Sequence, residues 1–147
     1  MIKPFSKQLY FNDALARQAT FNIFKESRNL TVEDIPDQYG VDLILLKGIN
    51  KVCGLELEVK KNWVGQRFPF QNVQFLERKS HYRNVLWVLF NSDCTAHLTA
   101  KIGDILTCEK RIIPNKYLKD EAFYIIPLEK VQFNGLYRLM HTLAIAK

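Results

Sequence analysis

The segment Gly54-Leu55-Glu56-Leu57-Glu58-Val59-Lys60 constrains the fold more than any other stretch of the chain. Successive side chains of a β-strand point to opposite faces, so Leu55, Leu57 and Val59 share one face and Glu56, Glu58 and Lys60 the other. The segment ahead of it, Val41-Asp42-Leu43-Ile44-Leu45-Leu46, reads as a strand covered on both faces. Gly48-Ile49-Asn50-Lys51 closes a hairpin between the two.

The rest of the chain supplies helices and further strands. Leu9, Ala16, Ala19, Ile23 and Phe24 fall near helical spacing and predict a helix over 8–28. Leu30-Thr31-Val32 suits a short strand, followed by turn chemistry over Ile35–Gly40. Phe70, Val73 and Leu76 predict a second helix over Phe70–Tyr82. Strands are expected at Val85–Phe90, Thr95–Ala100 and Ala122–Leu128, with Pro127 at an end or edge. Residues 101–120 are turn-rich, and Leu136, Leu139, Met140 and Leu143 mark a terminal amphipathic helix. The order implies an α/β (α+β) architecture, a mixed β-sheet flanked by helices.

No repeat or linker divides the 147 residues, so residues 1–147 read as a single domain. Aromatic residues at 12%, with only 6 glycines and 5 prolines, exclude a disordered chain. No apolar run approaches the roughly 18–20 residues that span a bilayer, and Met1–Lys7 lacks the apolar stretch of a signal peptide. Cys53, Cys94 and Cys108 form no CxxC pair and read as buried thiols of a reducing compartment. The expectation is a cytoplasmic protein with no membrane partner. His81, His97 and His141 are scattered and read as structural side chains.

Charge is unevenly distributed. Of the formal +6, residues 47–83 hold a net +5, from Lys47, Lys51, Lys60, Lys61, Arg67, Arg78, Lys79 and Arg83 against Glu56, Glu58 and Glu77. Trp63, Phe68, Phe70 and Phe75 interleave with these cations, a pattern that suits a polyanion. Arg78, Lys79 and Arg83 are candidate phosphate contacts, as are Lys61 and Arg67 in the loop after the second strand. The aromatics of that loop either plug the end of the sheet or touch nucleic acid.

If the hairpin pairs its strands, Asp42 lies near Glu58 and Lys60. Two carboxylates can hold Mg²⁺ through hard oxygen ligands, and the ion polarises a scissile phosphate and acidifies a bound water. A lysine beside them orients the water and offsets charge developing on the phosphate. Asp42 has a second reading, as a turn acceptor that caps free N–H groups ahead of its strand.

An acid leading one strand and Glu-x-Lys on the next resemble the PD-(D/E)xK nuclease superfamily, over about residues 8–91. Among its members the chain is similar to small Holliday-junction resolvases and compact homing endonucleases. The resemblance implies a restriction-endonuclease-like mixed sheet and a metal-dependent DNA endonuclease acting on duplex or branched DNA. It implies Asp42, Glu58 and Lys60 as catalytic residues and Mg²⁺, with Mn²⁺ as substitute, held by Asp42, Glu58 and a carboxylate from the first helix. Asp13 matches that carboxylate, with Glu26 as substitute; Asp37 competes with Asp42, and Gln71 or Gln74 would add a polar group. A second Glu-x-Lys, Glu77-Arg78-Lys79, falls in the expected second helix, where i and i+2 share no face.

One domain offers one active centre, so cutting two strands implies a homodimer or homotetramer. The Leu136, Leu139, Met140 and Leu143 stripe is a candidate joint, unless it packs on its own sheet. The rival reading is a non-catalytic nucleic-acid-binding module that keeps the basic surface on a degenerate nuclease fold.

Overall fold

The computed structural model describes residues 7–34, 42–77, 84–114 and 121–145, with side chains from Asp13 to Leu143. Helix α1 (Lys7–Phe24) places Ala16, Thr20 and Phe24, four residues apart, on a buried stripe. The chain then turns into β1 (Leu30–Asp34), β2 (Leu43–Lys47) and β3 (Asn50–Val59), an antiparallel meander. The β2–β3 hairpin turns at Gly48, whose φ of 63° lies in the left-handed region that glycine enters without steric cost. Strand β5 (Val85–Phe90) runs parallel to β3, with β6 (His97–Lys101) and the two-residue β9 (Gln132–Phe133) beyond it, both antiparallel. The large sheet is therefore mixed and six-stranded, in the order β1-β2-β3-β5-β6-β9.

The two faces of this sheet carry different covers. On one, α1 and α3 (Gly135–Ile145) bury Leu43, Leu45, Leu55, Leu57, Val88 and Phe90. On the other lies a three-stranded antiparallel sheet of β4 (Asn72–Leu76), β8 (Glu121–Pro127) and β7 (Glu109–Ile113), in the order β4-β8-β7. Val73 and Phe75 of β4 pack there against Trp87, Leu89, Leu98, Tyr124 and Ile126, with the Phe75 and Trp87 rings edge-on at 4.8 Å.

The mixed sheet matches the sequence expectation; the second cover does not. Over 72–76 the predicted second helix is strand β4, because Val73 and Phe75 alternate inward and pair with β8. The turn-rich 101–120 also contains the short helix α2 (Ile102–Ile105) and β7. Pro127 ends β8, as expected of a residue without an N–H.

Leu136 is fully buried, and Leu139, Met140 and Leu143, half-buried, pack against the helix-side core, so the terminal stripe faces the protein's own sheet. Among the described residues no helix is long and apolar enough to cross a membrane. All three cysteines are free thiols, and burial pushes those of Cys53 and Cys94 up to about 11.

Candidate active site

Strand β3 sets the site by alternation. In register with β5, Leu57 lies beside Val88 on the helix side, while Glu58 lies beside Leu89 on the small-sheet side. Lys60, two residues on, follows Glu58, and its backbone N–H donates to Phe90 O at 2.9 Å. Its ammonium stands over the Phe70 ring, 4.8 Å from the centroid, an attraction that limits where the side chain rests.

Past the end of β3 the two layers part and leave an open cleft of about 490 Å³. Asp13 and Ala16 line it from α1, Glu58, Lys60, Lys61 and Asn62 from β3 and its extension, and Val73, Gln74 and Phe123 from the small sheet. Three of the sequence candidates, Asp13, Glu58 and Lys60, thus meet in one cavity, joined by Lys61 at its rim and Gln74 from a strand. Gln71 is exposed on the loop ahead of β4, and Glu26 is exposed after α1.

Asp42 lies one step behind the cleft. Its N–H donates to Leu55 O at 3.0 Å, and its Oδ2 accepts the Leu57 N–H at 2.8 Å. Directly ahead of β2, it therefore ties its own strand to β3 through a cross-strand bond, and not to N–H groups of the turn ahead of β2. The anchor sits one residue from Glu58 along β3.

A residue not singled out from sequence organises the acids. Arg17 Nε donates to Asp13 Oδ2 at 3.1 Å, and Nη1 to Asp34 Oδ1 at 2.9 Å and to Asp42 O at 3.0 Å. Nη2 lies 3.4 Å from Asp42 Oδ1. Burial works against its charge, but the hydrogen bond to Asp13 and the charges of Asp13, Asp34 and Asp42 outweigh it and raise the guanidinium pKa. The i, i+4 spacing of Asp13 and Arg17 was the available sequence signal; Asp34 and Asp42 come from elements that only the fold brings near.

The carboxylates of Asp13, Asp42 and Glu58 are hard oxygen donors, the chemistry that Mg²⁺ and Mn²⁺ take. Among the described residues no three His, Cys, Asp or Glu side chains stand close enough to enclose an ion. An ion held here would be one that takes one or two carboxylates and keeps its waters, as Mg²⁺ does, and not one in an all-protein cage.

Of the other cations, Lys61 and Arg67 are exposed on the loop after β3, while Arg78, Lys79, Arg83 and the rival acid Asp37 lie outside the described residues. Glu77, of the second Glu-x-Lys, pairs with Lys110 of β7 at 2.9 Å, and the rest of that copy lies outside the described residues. Trp63 is fully buried and Phe68 nearly so, their rings edge-on at 5.0 Å. Trp63 and Phe68 therefore plug the end of the sheet, while Phe70 is half-buried beneath Lys60.

No protein-family model matches the chain, and no curated protein does. Among solved structures it is similar to a nuclease from a fusselovirus, at 13% identity and a TM-score of 0.47, over 95% of this chain and 94% of that one.

Proposed function

We propose that the chain is a metal-dependent DNA endonuclease that hydrolyses phosphodiester bonds at the end of β3. The observation that carries this reading is the convergence of Glu58, Lys60, Asp13 and Gln74 on one open cleft beside exposed cations. An acid and an ammonium two residues apart on a strand share a face and a fixed spacing, which a phosphate with an attacking water requires.

Glu58 and Asp13, backed by Asp42, are the residues that would hold Mg²⁺. The bound ion supplies charge neutralisation on the scissile phosphate. Lys60, steadied over Phe70, orients the attacking water and meets the charge that grows on the phosphate oxygens. Gln74 offers an amide that can donate to a phosphate oxygen or accept from water. Asp42 fixes β3 to β2 through the Leu57 N–H and so holds Glu58 at its height in the cleft.

The test is nicking of supercoiled plasmid in Mg²⁺, with EDTA as control. Glu58→Gln and Lys60→Met should each slow cleavage by about 10²–10³-fold, the usual loss when one preorganised electrostatic group goes, while melting temperature stays near wild type. A wild-type chain that leaves plasmid intact in Mg²⁺ and Mn²⁺, or a Glu58→Gln variant that cuts at the wild-type rate, overturns the assignment.

A further inference from the structure

Beyond Lys60 the chain forms a loop that is tightly held from below. Trp63 N–H donates to Lys60 O at 3.1 Å, and Trp63 O accepts the Ser92 N–H at 2.8 Å. Asn91, with no exposed surface, uses its whole amide: Nδ2 donates to Gly65 O at 2.9 Å and Thr95 Oγ1 at 3.1 Å, and Oδ1 accepts the N–H groups of Thr95 and Ala96 at 2.9 and 3.0 Å. Gln66 Nε2 adds a bond to Thr95 Oγ1 at 3.1 Å. Gly65, at φ 80°, makes the left-handed turn that this clasp requires.

What the loop shows to solvent differs from what it buries. Trp63 and Phe68 point inward, while Lys61, Gln66 and Arg67 are exposed with Val64, 74% exposed, among them. Asp93, the acid on the opposing turn, turns its Oδ1 to the Thr95 hydroxyl at 2.6 Å. A cation near each end of a short, preorganised arc and an apolar side chain between them fit a phosphate backbone flanking a groove. Phosphate contacts fix register, and apolar side chains touch sugars, base edges or thymine methyls. Single strands are instead gripped by exposed aromatic faces, and here those faces are buried. Because the loop is already ordered, little conformational entropy is lost on contact.

We propose that Lys61–Arg67 is the loop that seats a DNA duplex over the cleft, with Lys61 and Arg67 on backbone phosphates, Val64 in the groove between them, and Asn91 as the positioning residue beneath. The proposal rests on the endonuclease reading of the adjoining cleft.

Fluorescence anisotropy with a labelled blunt duplex, in EDTA so that cleavage does not intrude, at several salt concentrations, tests it. The Lys61→Ala/Arg67→Ala variant should flatten the log–log salt slope by about 1.8, roughly 0.9 for each phosphate contact. Val64→Ser should weaken binding several-fold at an unchanged slope. Asn91→Ala should lower the slope although it removes no charge, and the surface variants decide the matter if Asn91→Ala fails to fold. A double variant that binds with wild-type affinity and slope, while wild type binds and nicks, overturns the loop assignment and leaves the endonuclease reading standing. Tighter binding of the labelled single strand than of the duplex overturns the duplex assignment. A wild type that neither binds the duplex nor nicks plasmid overturns the endonuclease reading itself.

Discussion

Arg17 shows how much one side chain can organise. Its guanidinium, 26% exposed, joins α1 to the ends of β1 and β2 through three carboxylates that would otherwise repel one another. Removing it takes the shared counter-cation from Asp13, Asp34 and Asp42. Arg17→Met should therefore lower stability by about 2 kcal/mol, within the range for hydrogen bonds to charged groups. Arg17→Met with Asp34→Asn should recover part of the loss, since one repelling charge goes. Urea midpoints measure both, and an unmoved midpoint in Arg17→Met would show that the carboxylates need no counter-cation. Asp42 makes a related point: its place ahead of a strand was legible, while its partners, Leu57 N–H and Arg17, depend on the β2–β3 register and the lie of α1. Asn91 gave no signal in the sequence, because an asparagine in a turn looks alike whether it clasps a second loop or water.

Helix α3 is held to the sheet at its first turn, and there one histidine couples the element to pH. His97 of β6 accepts the Leu136 N–H through Nε2 at 3.0 Å, so its imidazole must be neutral at that nitrogen. Gly135 presses against Thr99 so closely that any Cβ there would run into the threonine side chain. Burial pushes His97 down to about 4 from an ordinary 6.5. Between those values the unfolded chain binds a proton that the folded chain refuses, so stability is full above pH 6.5 and falls as pH drops toward 4. The loss approaches about 3 kcal/mol at 1.36 kcal/mol per unit. Urea titrations at pH 7.5 and pH 4 should show it, and His97→Gln, whose amide oxygen can accept the same N–H, should show less pH dependence over that window; an equally steep variant would move the effect to other groups. Elements also mark where sequence periodicity misleads. Phe70, Val73 and Leu76 fit a helix as well as Val73 and Phe75 fit a strand, and pairing with β8, some fifty residues away, decided for the strand.

Across the whole molecule, helices, mixed sheet and small sheet stack in three layers, and the candidate cleft opens where the outer layers part past β3. One such cleft among the described residues sets an expectation about assembly. On the endonuclease reading, cutting both strands of a duplex takes two chains, so light scattering on the DNA-bound protein should report a symmetric dimer or tetramer. A monomer that persists on DNA would confine the chain to nicking, with nicked circles and no linear plasmid. Two determinants were local and therefore legible. The alternation of Leu55, Leu57 and Val59 against Glu56, Glu58 and Lys60 fixes a strand and a charged face whatever packs around them, because the strand repeat is a property of the backbone. The apolar, β-branched run Val85–Phe90 likewise reads as a strand, and the fold buries it on both faces. The cover on the second face, the gathering of Asp13, Asp34 and Asp42 on Arg17, and the clasp of Asn91 on the loop after β3 were decided only in the tertiary structure. Each joins residues far apart in the chain, and such contacts form only once the large sheet brings their elements together.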